Sequence, residues 1–355
     1  MSDAPKLVLL VEGQEYSGWT NIQVVRSLDA LADTFDLGLV TRGSSEPPPH
    51  NLAEGDECQV LYEGEKLIHG WIDSITEGYS GSSSTLVIAG RSRAGDLVDC
   101  TAIHKPWRST PILKIASDIC DPFQIRVSSD VSDLPTERYF KLSEGETAFA
   151  ALDRLARDHG MRVVSKPDGS VLFTRTGLLR FPNVAIEHGV NVVSASFARS
   201  MEERFGKYIF KAQLAASDEV NGAAASKKFE VTDDGVGRYR PLVIERDGQR
   251  GAKALEEAAE WERNTRAGKA RQLQYVVTNP DDPARSWEHA AGLWEPNTIV
   301  TVRDRYYQLD GEFLVVEVRF TLDQGGTRTS LRLTAPEAYA PKKPPRKKKK
   351  KGYSW

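Results

Sequence analysis

The sequence predicts a mainly β protein in which a small α+β module separates two β-rich stretches. Three observations carry this expectation. The first hundred residues break into short apolar runs divided by glycine and polar turns, a capped amphipathic helix with an adjoining hairpin interrupts them near 143–174, and the alternating run Phe313 to Leu322 resumes the pattern. At 355 residues the chain exceeds the size at which one hydrophobic core keeps growing, so two or three domains are expected.

The first domain is placed at 1–98. Strands are expected at Leu7 to Val11 and Trp19 to Val25, joined through Gly13, and at Cys58 to Tyr62, Leu67 to Ile75 and Thr85 to Ala89. Gly64 and the loop Tyr79 to Ser84 separate the last three. A short helix capped by Ser27 is expected over Leu28 to Ala32. The turn spacing fits a small barrel or sandwich.

Residues 99–177 read as the α+β module. Ser109 or Thr110 before Pro111 is a helix start, since proline at the first helical position gives up an N–H that has no partner anyway. Ser143 to Glu146 has the pattern of a capping box, Phe149, Leu152, Leu155 and Ala156 form an apolar stripe, and Gly160 stands where a terminating glycine belongs. Met161 to Val164 and Val171 to Thr174 then flank an Asp168-Gly169 hairpin turn.

Residues 178–340 read as a second β domain, with strands at Val190 to Phe197, Tyr208 to Lys211, Phe229 to Val231 and Leu273 to Val277. Ser217 to Lys227 reads as a flexible loop and 252–266 as a helical insertion. In Phe313 to Leu322, residues Leu314, Val316, Val318, Phe320 and Leu322 are expected on one face and Glu317, Arg319 and Thr321 on the other. The layout 56–89 can be laid beside 298–333 by strand order, without residue identity, which leaves a duplicated unit and a chance likeness both open.

Chemistry-bearing motifs are few. Cys58, Cys100 and Cys120 are odd in number and form no CxxC pair, so they are expected as buried small groups and not as a disulfide framework or zinc site. The six histidines His50, His69, His104, His159, His188 and His289 show no metal-ligand spacing. Gly235-Val236-Gly237 lacks the third glycine, strand and helix of a dinucleotide loop. The pairs Asp233-Asp234 and Asp281-Asp282 sit among glycine or proline, where acids normally make turns. No catalytic, cofactor or metal residue is expected.

No apolar run approaches the roughly 20 residues that cross a bilayer, and no signal-peptide pattern opens the chain, so synthesis and folding in a cytoplasm are expected. The net charge of −3 hides an asymmetry. Lys342, Lys343, Arg346, Lys347, Lys348, Lys349, Lys350 and Lys351 are eight of the 47 basic residues; setting them aside leaves 39 against 50 acidic residues, a body charge of −11. Such a body repels a phosphate backbone. The tail 341–355 reads either as a solvated segment or as a contact for nucleic acid, a membrane surface or an acidic protein, with Tyr353 and Trp355 beyond the lysines to dock it.

Gly70-Trp71-Ile72-Asp73, the run Ile88 to Cys100, the helix Thr147 to His159 with its Asp168-Gly169 turn, and Gly292 to Asn297 leading into Phe313 to Leu322 and Leu331 to Leu333 occur in one order across nearly the whole folded chain. In this order and spacing the chain resembles the baseplate hub proteins of Mu-like contractile-tailed phages, a 43 kDa tail protein or late-control D-type hub family. The resemblance implies two related β-barrels per chain and a ring-shaped homotrimer of six quasi-equivalent barrels. Such a ring matches a sixfold tail tube to a threefold central spike and passes DNA through an acidic lumen during ejection. It further implies tail tube, spike and neighbouring baseplate proteins as partners and the virion as location, after synthesis in the bacterial host. The alternatives are a wall-degrading hydrolase in the α+β module and a nucleic-acid binding module acting through the tail.

Overall fold

The computed structural model describes residues 6–43, 50–213, 226–247 and 252–339. The chain divides into two compact units, residues 1–198 with 272–336, and residues 199–271 with 337–355. The expected loop Ser217 to Lys227 falls largely outside the described residues, as does the tail from 340 onward.

The first unit opens with seven strands: β1 (Leu7–Val11), β2 (Gln14–Tyr16), β3 (Asn21–Ser27), β4 (Thr34–Arg42), β5 (Glu57–Tyr62), β6 (Glu65–Ser80) and β7 (Ser83–Ser92). Each of β3, β5 and β7 alternates buried and less buried residues, the signature of a half-buried antiparallel strand. No helix forms at Leu28 to Ala32. The Ser27 hydroxyl accepts the Asp29 N–H, two residues on, and the Arg332 guanidinium, while the Leu28 N–H donates to the Val316 carbonyl, so cross-strand bonding wins over a helical turn. Tyr79 to Ser84 is no loop but the tip of a long hairpin, with Ser80 paired to Ser83.

The module follows as α1 (Gly95–Asp99), β8 (Trp107–Pro111), α2 (Ile112–Cys120), β9 (Val127–Ser129), β10 (Thr136–Phe140), α3 (Ala148–Asp158), β11 (Arg162–Ser165) and β12 (Val171–Thr174). Pro111 caps α2 from outside in place of occupying its first turn. The cap of α3 is Thr147, whose hydroxyl accepts the Ala150 N–H. Ser143 and Glu146 instead close the preceding turn, the Glu146 carboxylate accepting the Ser143 N–H. At the other end Gly160 takes φ +66, the Met161 N–H donates to the Ala156 carbonyl and the Gly160 N–H to that of Arg157, a complete Schellman stop. Leu31, from the segment expected to be helical, is buried in this module's core beside Leu97, Ile112, Leu152 and Phe173. Cys58 and Cys120 are buried, and burial pushes both thiols up to about 12; Cys100, expected buried, is exposed at the C-terminal cap of α1.

The remaining elements are β13 (Leu179–Glu187), β14 (Val192–Arg199), β15 (Lys207–Gln213), β16 (Ser226–Thr232), β17 (Pro241–Asp247), α4 (Ala252–Lys269), β18 (Arg271–Val277), β19 (Glu288–His289), β20 (Gly292–Leu293), β21 (Thr298–Asp304), β22 (Leu309–Asp323) and β23 (Gly326–Thr334). In the second unit β16, β15 and β17 form a small sheet, and Tyr208, Phe210 and Ala259 of α4 make its core.

In the first unit thirteen strands join one sheet along the path β14-β18-β23-β22-β3-β4-β7-β6-β5-β1-β2, with β21 and β13 branching from β22. Two separate closed barrels are not found. The reason is β22: its first half bonds β21, its second half bonds β3, and the two β-rich stretches fuse into one sheet. The expected face of β22 also changes midway. Val316 is a bulge residue, so Phe313 and Val315 face the main core before it and Val318, Phe320 and Leu322 after it.

Candidate assembly interface

The two hairpins of the sheet are copies of one design. In β6–β7, Ile72 pairs with Gly90, Asp73 bulges, and the ladder then runs from Ser74–Ala89 to Ser80–Ser83. In β22–β23, Val315 pairs with Leu333, Val316 bulges, and the ladder runs from Glu317–Arg332 to Asp323–Gly326. The core face switches identically, from Ile72 to Ile75 and from Val315 to Val318. The likeness seen in the sequence as strand order is thus a match of register.

The copies differ in what flanks them. Residues Glu317 to Leu322 of β22 pair with Ser27 to Ile22 of β3. The counterpart stretch of β6, Ser74 to Tyr79, bonds only β7 among the described strands, and most of it is exposed. At one end of the path β14 pairs only with β18 among the described strands, and the Tyr307 hydroxyl donates to its Ala195 carbonyl at 3.3 Å. Large apolar side chains are exposed on both strands, Tyr79 at 84% and Val193 at 53%. The strand expected at Val190 to Phe197 corresponds to β14, whereas the strand expected to end at Ile75 continues to Ser80, because the Gly/Ser-rich tip reads as a loop in sequence. A strand edge left open is a template for another chain.

The residues of the resemblance meet around the Asp73 bulge. Arg91 donates to both carboxylate oxygens of Asp73, at 2.6 and 3.3 Å, and to Asp99 at 2.8 and 3.2 Å. It thereby ties the bulge to the end of α1 and holds the Asp99 carboxyl below its usual range. Nearby, Glu57 takes the His69 Nε2 contact at 2.9 Å, and the Arg93 guanidinium lies 5.8 Å from the Trp71 ring centre.

The residues weighed for chemistry have structural roles. Asp233 accepts two hydrogen bonds from Arg204, at 2.7 and 2.8 Å; burial pushes its carboxyl up, but these bonds outweigh it and hold the group low. A Cβ at Gly235 would lie 2.2 Å from the Arg204 guanidinium, so a larger residue there would displace the arginine end from this pair. Asn279 Oδ1 accepts the N–H groups of Asp281 and Asp282, and Asp282 caps the turn Pro283–Arg285. In the module, Asp118, Glu146 and Asp168 are pushed up by burial yet held low by Lys114 and Trp107, by Arg154, and by Ser170 respectively, the opposite of a general acid's requirement. No cluster of three metal-ligating groups occurs among the described residues. No helix among them is long and apolar enough to cross a membrane. The tail residues Lys342 to Lys351, Tyr353 and Trp355 lie outside the described residues.

Among the histidines, His50, His69 and His159 contact Glu77, Glu57 and Glu137, and His104 stacks on Trp107. His188 lies 3.8 Å from Asp304. His289 packs edge-on between Phe181 and Trp294, and burial lowers its pKa from 6.5 to about 4. Its folded pKa is below the unfolded value, so its neutral form adds stability that is complete above about 6.5 and is lost as pH falls toward 4. The expected result is a denaturant midpoint that drops over this interval and drops less in His289→Phe, measured by tryptophan fluorescence.

Comparison with known proteins agrees along the chain. Residues 6–92 match the family described as Mu phage baseplate assembly protein GpP-like, N-terminal; residues 94–175 match baseplate hub protein gp44-like, second domain; and residues 251–342 match Mu phage baseplate assembly protein GpP, fourth domain. The chain is 29% identical to the baseplate hub protein gp44 of Escherichia phage Mu, over 98% of this chain and 93% of that one. Its fold is similar to the prophage MuSo2 43 kDa tail protein from Shewanella oneidensis, at TM-score 0.82 and 29% identity, covering 95% and 100% of the two chains. A tail protein from Neisseria meningitidis MC58 shares the fold at TM-score 0.82 and 23% identity, over 94% and 99%.

Proposed function

This chain belongs to the baseplate hub proteins of Mu-like phages and is a structural protein of a phage tail, and from that premise we propose that it acts as a symmetry adapter. Three copies close into a ring, each supplying two related β units, from residues 1–98 and 178–340. Six similar units then face a sixfold tail tube while three chains face a threefold spike. The observation that carries this reading is the register match of the two hairpins. A chain with two like units in tandem presents twice as many like surfaces as it has copies in a closed ring.

The module 99–177 faces neighbouring baseplate proteins on this reading. The acidic body of charge −11 lines a passage to which DNA does not adhere during ejection. The tail, with its eight basic side chains and terminal Tyr353 and Trp355, is the contact to a further baseplate or tail component.

Light scattering of the purified chain is expected to give three times the chain mass at micromolar concentration. A strict monomer would remove the physical basis of the adapter. Truncation after Ala340 is expected to leave that mass unchanged and to lower tail assembly; unchanged assembly would make the tail a solvated appendage.

A further inference from the structure

We propose that the ring closes by strand addition, the outer half of β6 in one subunit pairing antiparallel with β14 of a second copy. The inference rests on the trimeric reading and names its contact. Each chain already makes this contact once within itself. The outer half of β22 is covered by β3, which in turn pairs with β4, which pairs with β7. In the second half of the chain the strand beside β23 is β18, and the strand beside β18 is β14. By position β14 is therefore the counterpart of β3, as β6 is of β22.

One copy of the contact is filled and the other is split between the two ends of the chain. The acceptor, β6 beyond its Asp73 bulge, has one described neighbour, and the donor, β14, ends the sheet path. A subunit that presents an acceptor at one place and its matching donor at another forms a heterologous contact, which generates a closed ring when the rotation permits. Strand addition uses main-chain hydrogen bonds, so it does not require the two halves to share sequence.

The side chains fit the substitution. Ala195 and Phe197 of β14 pack against the main core, as Ile22 and Val24 of β3 do. Matching these pairs sets Ala198 in the place of Val25 and Ser196 in that of Gln23. Carrying the β22–β3 register across then puts Thr76 opposite Ala198 and Gly78 opposite Ser196. Tyr79, now exposed, occupies the position of Leu322, which packs on the core beside β3.

The test uses the full chain with Cys100→Ser, which removes the exposed native thiol, and adds Thr76→Cys with Ala198→Cys. A short thiol-specific bifunctional cross-linker is expected to give a covalent three-chain species on a denaturing gel. Neither single variant should give it, nor should Thr76→Cys with Val193→Cys, whose partner is displaced by about 16 Å along the strand. Hydrogen exchange is the second readout, with Ser74 to Tyr79 expected at least about tenfold slower in the assembled protein than after dilution to monomer. A trimer in which the in-register pair fails to cross-link and these amides exchange as an open edge would overturn strand addition and leave the adapter standing. Absence of any trimer would overturn both.

Discussion

Gly70→Ala is expected to unfold the first β-rich stretch at temperatures where the parent chain is native. A Cβ at Gly70 would lie 1.8 Å from the Arg91 carbonyl oxygen and 2.7 Å from the Ser92 Cα, both backbone atoms of β7. Neither can swing aside as a side chain could. The two strands approach this closely because β6 crosses from β5 to β7 just before the Asp73 bulge, where Gly70 pairs with Ser92 and Gly90 with Ile72. Gly90 is constrained likewise, with the Trp71 carbonyl oxygen at 2.1 Å and the Phe35 ring at 2.5 Å. Overpacking against backbone should cost about 3 kcal/mol or more, which for a unit of this size lowers Tm by roughly 6–12 °C. Gly81→Ala, at the hairpin tip with nothing within 4 Å, is the control, expected within about 0.5 kcal/mol of the parent. Calorimetric scans of the three proteins decide it, and equal melting of Gly70→Ala and Gly81→Ala would refute the crossing as a close-packed joint.

Trp287→Ala is expected to have a comparable effect through a cavity. Trp287 is 1% exposed and the largest fully buried side chain described. Its ring lies 5.0 Å from that of Tyr62 on β5 and 5.4 Å from that of Phe320 on β22, so it joins the two β-rich stretches through one aromatic stack. Its Nε1 also donates to the Thr321 carbonyl at 3.1 Å. Truncation should cost about 3–5 kcal/mol. Trp287→Phe keeps most of the volume and is expected to lose less. Urea titration followed by far-UV circular dichroism tests the order parent, Phe, Ala; an alanine variant as stable as the parent would mean the stack carries no load.

The local elements were legible in the sequence where their signals lie within a few residues of each other. Helix α3 shows this best, since its apolar stripe and Gly160 stop lie in one short window, and even there the cap moved from Ser143 to Thr147. The strand β4 was missed although Phe35, Leu37 and Leu39 alternate in it, and β17 was missed as well. The candidate interface was legible only as a faint repeat of strand order. The copies have diverged at the joint itself, where the ladder counterparts of Gly70 and Gly90 are Phe313 and Leu333.

By itself the sequence determined a β-rich chain with an α+β module between two β-rich stretches, an acidic body, a basic tail and the family whose order of motifs it carries. Only the tertiary structure decided that the strand sets fuse through β22 and β3, that bulges at Asp73 and Val316 switch the buried face in both, and that the outer half of β6 bonds only β7 among the described strands. The physical reason is range. Capping, turn and alternation preferences act between neighbours in sequence, whereas β22 and β3 are about 290 residues apart, as in the contact of Ser27 with the Val316 carbonyl, and backbone pairing at that distance is set by which edges the folded sheet leaves open.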